Sequence, residues 1–281
     1  MNISAHHSDF EKICHSRWTL HVQKAFVHAP FGKYLRTKGL DGVRGPFKEI
    51  NASRFARTLI CQTGFAGNCH MLYFKEYLFR SVWDIIKHLF RKSRARRAFN
   101  ASIMLQQNGL NAPEVVAIGE LYYGPFRAKN FLITREIENA KDIYSYLYKY
   151  RRNITSQFRH YKRSLICELG RTIGKMHAAG IFHGDLRPGN ILAEHTGEHW
   201  KFFFMDNERT KQYQHLPYYF RLKNLVQVNM LQNYFTNTDR MRFLKLYLQS
   251  NPNLKHNKQF LVRRVMLRTQ QRLKLKHENK Q

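Results

Sequence analysis

Apolar positions along the chain follow two different periods. In the first half they tend to alternate. Ser53 to Gln62 alternates loosely and predicts a strand, Thr63 to Asn68 predicts a turn, and Cys69 to Tyr77 predicts a second strand. In that second strand Met71, Tyr73 and Lys75 share one face by the period of two. Val115 to Ile118 and Phe131 to Thr134 predict further strands, with Gly119 as a break. Between these runs, Ser81 to Asn108 predicts a helix, with Ile85, Ile86, Leu89 and Phe90 as one apolar group and Phe99, Ile103 and Met104 as another. Gly109 suits its C-cap, and Pro113 follows. Residues 1–30 carry no clear pattern. Residues 31–49 hold four glycines and predict loop and short strand.

From Lys141 onward the spacing becomes helical. Lys141 to Tyr150 predicts a tyrosine-rich helix, whose rings could stack on a sugar or base and more often serve core and rim, the reading favoured here. Leu165, Leu169, Ile173 and Met176 recur at helical intervals until Gly180 stops them. Tyr218 to Tyr234, Thr238 to Ser250 and Gln259 to Lys276 predict three more helices, with Asn251-Pro252-Asn253 as a break. The helical half is interrupted once, by Ile191-Leu192, a turn at Thr196-Gly197 and the run Trp200 to Met205, which together predict a hairpin centred near residue 198. Arg135 to Lys141 is a polar crossing and a candidate hinge. Strands first and helices later predict an α+β chain with two lobes.

Composition adds a charge that needs an explanation. The 281 residues include 48 basic and 19 acidic ones, a formal net charge of +29. That excess predicts an anionic partner, whether phospholipid, phosphorylated glycan or nucleic acid, although no nucleic-acid-binding motif accompanies it. Hydrophobic residues make up 43% of the chain, enough for a sizeable core. The four cysteines show no metal-finger or CxxC spacing and predict free thiols in a reducing compartment. No apolar run approaches the ~18 residues of a membrane span, and the first residues lack a signal-peptide core, so a cytoplasmic setting is expected. Basic residues beside an anionic leaflet contribute about 1 kcal/mol each, so five would give a reversible, sub-millimolar attachment. Two basic stretches qualify, Arg91 to Arg97 and the last helix from Arg263 to Lys276. Each is equally readable as an ordinary solvated helix face.

The chemistry concentrates in Gly180-Ile-Phe-His-Gly-Asp-Leu-Arg-Pro-Gly-Asn-Ile-Leu192 and Phe203-Phe-Met-Asp-Asn-Glu-Arg-Thr210. Asp185 and Asn190 are five apart, the catalytic-loop spacing of protein kinases. The predicted hairpin brings Asn190 and Asp206 to the same open end, where two oxygen ligands suit Mg²⁺. Asp185 can accept or orient a hydroxyl proton. Arg187 stands where many kinases place a cation facing the transferred phosphate. His183 is expected to brace the loop, and Gly184 and Gly189 to give it room. Lys75 is the candidate phosphate-binding lysine. Glu136 and Ile137, at the crossing, would present backbone groups to an adenine ring. No acid occurs between Lys87 and Ala112, so the helix glutamate that usually partners such a lysine is missing.

The chain resembles the Kdo/heptose lipopolysaccharide-core kinases, which share the protein-kinase-like fold. Asn51 to Thr58, Leu72-Tyr-Phe-Lys75, Ser93 to Arg97, Gln107 to Pro113, His183 to Asn190 and Met205 to Arg209 carry the likeness. It implies a small antiparallel-sheet N-lobe over residues 31–136 that binds nucleotide, and a mostly helical C-lobe over residues 137–281 that binds the acceptor. It also implies ATP and Mg²⁺ as cofactors, with Ser53, Arg54 and Lys75 at the nucleotide. The acceptor would be a hydroxyl of a lipopolysaccharide core sugar at the inner face of the inner membrane. Ala98 stands where relatives usually carry the helix glutamate. Asn207-Glu208 departs from the family pattern, and Glu208 is a candidate extra ligand. Two other readings stay compatible: a kinase for another substrate, and an inactive kinase-like module that binds anionic surfaces.

Overall fold

A computed structural model describes residues 9–29, 32–33, 35, 48–52, 56–65, 68–79, 91–124, 126–151, 155–197, 199–231 and 234–278. The chain divides into two compact units, residues 1–104 with 113–138 and residues 105–112 with 139–281.

The first unit is built on a seven-stranded antiparallel sheet. Its strands are β1 (Phe10–His15), β2 (Trp18–Gln23), β3 (Lys48–Ala52), β4 (Ala56–Phe65), β5 (Asn68–Tyr77), β6 (Val115–Tyr123) and β7 (Phe126–Arg135), in the order β1-β2-β6-β7-β5-β4-β3. Alternation assigns the two faces. Leu72 and Phe74 of β5 join Trp18, Leu20, Val22 and Phe131 in one buried cluster. Tyr77 points to the other face, against Ala98 and Phe99 of α2 (Arg94–Gln107). A short helix, α1 (Lys24–Val27), follows β2 and buries Phe26 and Val27.

Several expectations change here. β1 and β2 lie within residues 1–30, where no strand is expected. The turn expected over Thr63–Asn68 is tighter, because β4 runs to Phe65 and β5 starts at Asn68. Gly119 is not a break. β6 continues through it because a side chain there would fill the space of the neighbouring Phe131 ring, 2.0 Å from the position a Cβ would take. The helix expected from Ser81 is not continuous either. Arg91, Lys92 and Ser93 are non-helical, and the Ser93 hydroxyl accepts the Arg96 N–H at 2.9 Å, which caps a fresh start at Arg94. The expected helical residues 81–90 lie outside the described residues.

Arg91 and Lys92 before α2 are exposed, but the basic residues inside it do not form a solvated face. Arg94 is buried, with its guanidinium 4.8 Å from the Tyr77 ring centre. Arg96 and Arg127 hold buried Glu120 at 3.0 and 3.1 Å. Burial alone would raise the Glu120 carboxyl; the Ser93 hydroxyl and the two guanidiniums outweigh it and hold the pKa below the usual range.

The second unit is mostly helical. β8 (Lys141–Asp142) precedes α3 (Ile143–Arg151), so the expected helix starts two residues late. α4 (Ser156–Ala178) ends at Gly180, whose φ of 74° lets the chain turn into β9 (Ile181–Phe182). A turn of 3₁₀ helix (Pro188–Asn190) leads into the hairpin of β10 (Ile191–Thr196) and β11 (His199–Phe204). β8 joins this hairpin as a third strand, and β12 (Lys211–Gln212) pairs with β9. Then come α5 (Tyr218–Asn229), α6 (Asn237–Gln249) and α7 (Lys258–Glu278). α4 packs on α6, and α7 packs on α5. Among the described residues no helix is long and apolar enough to cross a membrane.

Candidate active site

The loop between β9 and β10 is held from below by polar side chains. His183 is fully buried. Its Nδ1 accepts the Asp185 N–H at 3.2 Å, which places the ring proton on Nε2. That proton faces Met205 O at 3.0 Å and Asn207 Oδ1 at 3.1 Å. Burial lowers the His183 pKa against the raising effect of these acceptors, so the ring is a neutral brace. Asn207 is also buried and donates to Phe204 O at 2.9 Å. It therefore ties the end of β11 to the loop through polar contacts.

Asp185 is gripped from two sides. Arg187 reaches back to Oδ2, with Nε at 3.0 Å. Gln227 of α5 donates to Oδ1 at 3.3 Å, and its own carbonyl accepts the Leu186 N–H at 3.1 Å. Behind Gln227 stands Asn224, which donates to Gln227 Oε1 at 2.9 Å and to His183 O at 2.6 Å and accepts the His183 N–H at 3.1 Å. His177 of α4 donates from Nε2 to Asn224 Oδ1 at 3.3 Å, and its Nδ1 accepts the Tyr247 hydroxyl at 2.9 Å. Tyr247 in turn accepts from Arg221. Burial, with the Arg221 charge nearby, lowers His177 to about 3, so it too is neutral. Every donor in this buried series finds an acceptor, which gives it one direction, from Arg221 to Asp185.

Asn190 Nδ2 donates to Asp185 O at 2.9 Å. One side-chain atom thus closes the loop. Met205 N–H donates to Asn190 O at 2.9 Å, and Ile191 pairs with Phe204. Asn190 therefore sits beside the residue that precedes Asp206. Asp206 is exposed and adopts a left-handed conformation, φ 58° and ψ 43°, which is costly for a non-glycine residue and turns the chain sharply after β11. One carboxylate and one amide oxygen fit a cation that takes hard oxygens and keeps its water. Among the described residues no cluster of three or more His, Cys, Asp and Glu gathers. Glu208, the candidate extra ligand, lies 3.8 Å from Arg209. Gly184 is required, since a Cβ there would lie 2.1 Å from the Arg209 side chain, whereas Gly189 has nothing within 4 Å. The space argument thus holds for only one of the two glycines.

In the first unit, Lys75 is half-buried on β5, on the sheet face that carries α2, with Nζ 5.6 Å from the Tyr77 ring centre. Ala98 is buried in the apolar contact between α2 and Tyr77, so the position is used for packing. Glu136 donates its N–H to Met71 O at 2.9 Å, and its carboxylate accepts the Tyr73 hydroxyl at 3.2 Å. The expected role of Glu136 at adenine therefore narrows to its carbonyl. Ser53 and Arg54 lie outside the described residues. Asn224, Gln227, His177 and Asn207 were missed from sequence. The available signal was polar side chains within α5 beside Leu222, Leu225, Val226 and Val228, at positions that face inward.

No curated protein sequence matches this one. In structure the chain is similar to WaaP in complex with acyl carrier protein, with a TM-score of 0.66 and 21% identity, over 90% of this chain and 98% of that one. That likeness agrees with the two-lobed, kinase-like α+β fold expected from sequence. The family model for lipopolysaccharide kinases (Kdo/WaaP) matches residues 45–247, which include the braced loop and both candidate metal ligands. The chain therefore belongs to the lipopolysaccharide kinase (Kdo/WaaP) family and is a kinase.

Proposed function

We propose that the chain transfers the γ-phosphoryl group of ATP, with Mg²⁺, to a hydroxyl of a Kdo or heptose sugar in the lipopolysaccharide inner core. The observation that carries this reading is the doubly held Asp185 carboxylate, beside Asn190 and on the loop that Asn207 ties to Asp206. Phosphoryl transfer depends chiefly on positioning and charge neutralisation, and a rigid loop serves both. The acceptor oxygen bonds to the γ-phosphorus, the bond from that phosphorus to the bridging oxygen breaks, and the diphosphate leaves. The acceptor proton goes to Asp185. Asn190 and Asp206 would hold Mg²⁺, which supplies neutralisation of the phosphate charge. Lys75, with Ser53 and Arg54, would bind the nucleotide phosphates. The Glu136 carbonyl and Ile137 would meet the base. Arg187, exposed beyond its contact with Asp185, would swing toward the transferred group.

Peripheral attachment to an anionic leaflet belongs to the same reading. α7 exposes Phe260, Val262 and Leu267 among its arginines and lysines, the composition of a helix that lies at a membrane surface. The test is transfer of labelled phosphate from ATP to purified core glycolipid, followed by fragmentation mass spectrometry of the product. Label on a core sugar hydroxyl supports the reading. Label confined to water or to protein side chains refutes it.

A further inference from the structure

We propose that the cavity beside the catalytic loop binds an anionic saccharide of the acceptor, and that Arg272 and Lys276 recognise its charge. This rests on the sugar-kinase reading above. The cavity measures about 1040 Å³ and lies wholly within the second unit. That volume is at the upper end of small-molecule pockets and suits several linked sugars. Its floor is the catalytic loop, through Arg187 and Asn190. Its walls include Tyr144 of α3, Tyr234 after α5, and Arg272 and Lys276 of α7. Another cavity, about 100 Å³ among mostly apolar side chains of α4 to α7, does not border the loop.

Charge decides the class of ligand. Two other charged side chains face the cavity, and both are engaged. Arg187 is paired with Asp185. Asp142 accepts the Ser145 N–H at 3.0 Å and the Ser145 hydroxyl, and so caps its own turn. Arg272 and Lys276 are exposed and have no carboxylate partner among the described residues. They stand four residues apart, on one stripe of the helix. Their placement is fixed from below, because Thr269 is fully buried and receives the Asn229 amide at 3.1 Å. The last turns of α7 are thereby anchored to α5, whose end also borders the cavity. Two exposed cations one helical turn apart on an anchored helix, with no anion of the protein between them, can receive a carboxylate or phosphate. Tyr144 and Tyr234 add ring surface beside them, edge to face at 5.7 Å. Such rings offer an apolar body and a polar tip, which suits the two characters of a sugar. The tyrosines of α3 are thus not all core and rim, since Tyr144 is 46% exposed and turned to this cavity.

The experiment uses a deacylated, water-soluble core oligosaccharide in lipid-free buffer, which removes any membrane effect. Wild type, R272Q/K276Q and the remote control K255Q/K258Q are compared. The double variant should raise KM for the oligosaccharide about tenfold per side chain, as loss of charge-assisted hydrogen bonds does, with kcat within about twofold. The control should match wild type. Methyl esterification of the sugar-acid carboxylates, or removal of phosphates by phosphatase, should raise the wild-type KM and leave the double variant unchanged. The first arm assigns a carboxylate, the second a phosphate. If neither arm moves KM, or if R272Q/K276Q keeps the wild-type KM, the proposal is overturned. An effect seen only with intact glycolipid in vesicles also overturns it and assigns these cations to the membrane surface. Should wild type phosphorylate neither the oligosaccharide nor the intact glycolipid, the sugar-kinase reading fails. Calorimetric binding of the same oligosaccharide would then still decide whether Arg272 and Lys276 hold it.

Discussion

Lowering the pH from about 7.5 to about 5 should destabilise the protein through His177. In the folded chain its pKa is about 3, because burial and the Arg221 charge oppose the imidazolium. In the unfolded chain it should titrate near its ordinary value of about 6.5. The unfolded state therefore binds the extra proton first. Stability is complete above about pH 6.5 and falls as the pH drops toward the folded value. At about pH 5 the gap corresponds to roughly 1.5 units, or about 2 kcal/mol, a large share of a typical domain's stability. His183, also buried and lowered, acts in the same direction, so the two must be separated. Urea unfolding at both pH values for wild type and His177→Gln does so. The variant should lose about 2 kcal/mol of the pH dependence while keeping the part due to His183. Imidazole proton shifts give a second readout if the variant folds poorly; the His177 signal should not move between the two pH values. A variant with the full wild-type dependence, or a His177 signal that titrates near pH 6, would refute the reasoning.

Asp206→Ala should raise the Mg²⁺ concentration needed for half-maximal turnover, and an unchanged Mg²⁺ titration would remove Asp206 from the metal site. Gly119→Val should destabilise the first unit by about 1–3 kcal/mol or more, since Phe131 occupies the space; thermal melting reads this, and an unchanged melt would contradict it. Arg96→Ala should cost about 1.5–3 kcal/mol by stripping a charged partner from buried Glu120, with vesicle binding unaltered. A loss of vesicle affinity at constant stability would instead restore the solvated-face reading of this stretch.

What could be read from sequence depended on how local the cause was. The hairpin of β10 and β11 was legible because alternation and a Thr-Gly turn specify it within fourteen residues. The braced loop was legible because its chemistry needs fixed spacing. Gly119 misled because a strand glycine signals a break unless its cross-strand neighbour is known, and here that neighbour is Phe131. Arg94 and Arg96 misled for a similar reason. Their partners, Tyr77 and Glu120, come from strands that precede and follow the helix. β1 and β2 were legible and overlooked: Trp18, Leu20 and Val22 alternate with Thr19, His21 and Gln23 over six residues, a run short enough to pass among the polar residues around it, and β2 is fixed by pairing with β1 and β6. The support behind Asp185 was hidden most completely. Gln227, Asn224, His177 and Tyr247 come from three helices, and only packing of α4 against α6 and of α5 against the loop brings them into one series. The missing helix glutamate has a local account as well, since Ala98 fills a contact with Tyr77 that a carboxylate would disrupt.

The claim on which the rest depends is that the carboxylate of Asp185 takes the acceptor proton. Single-turnover transfer from labelled ATP to core glycolipid, compared between wild type and Asp185→Asn, addresses it directly. The amide preserves shape and cannot serve as base, so the transfer rate should fall by roughly 10²–10⁴ while nucleotide affinity stays within a few-fold. Transfer at the wild-type rate with the asparagine in place would contradict the account.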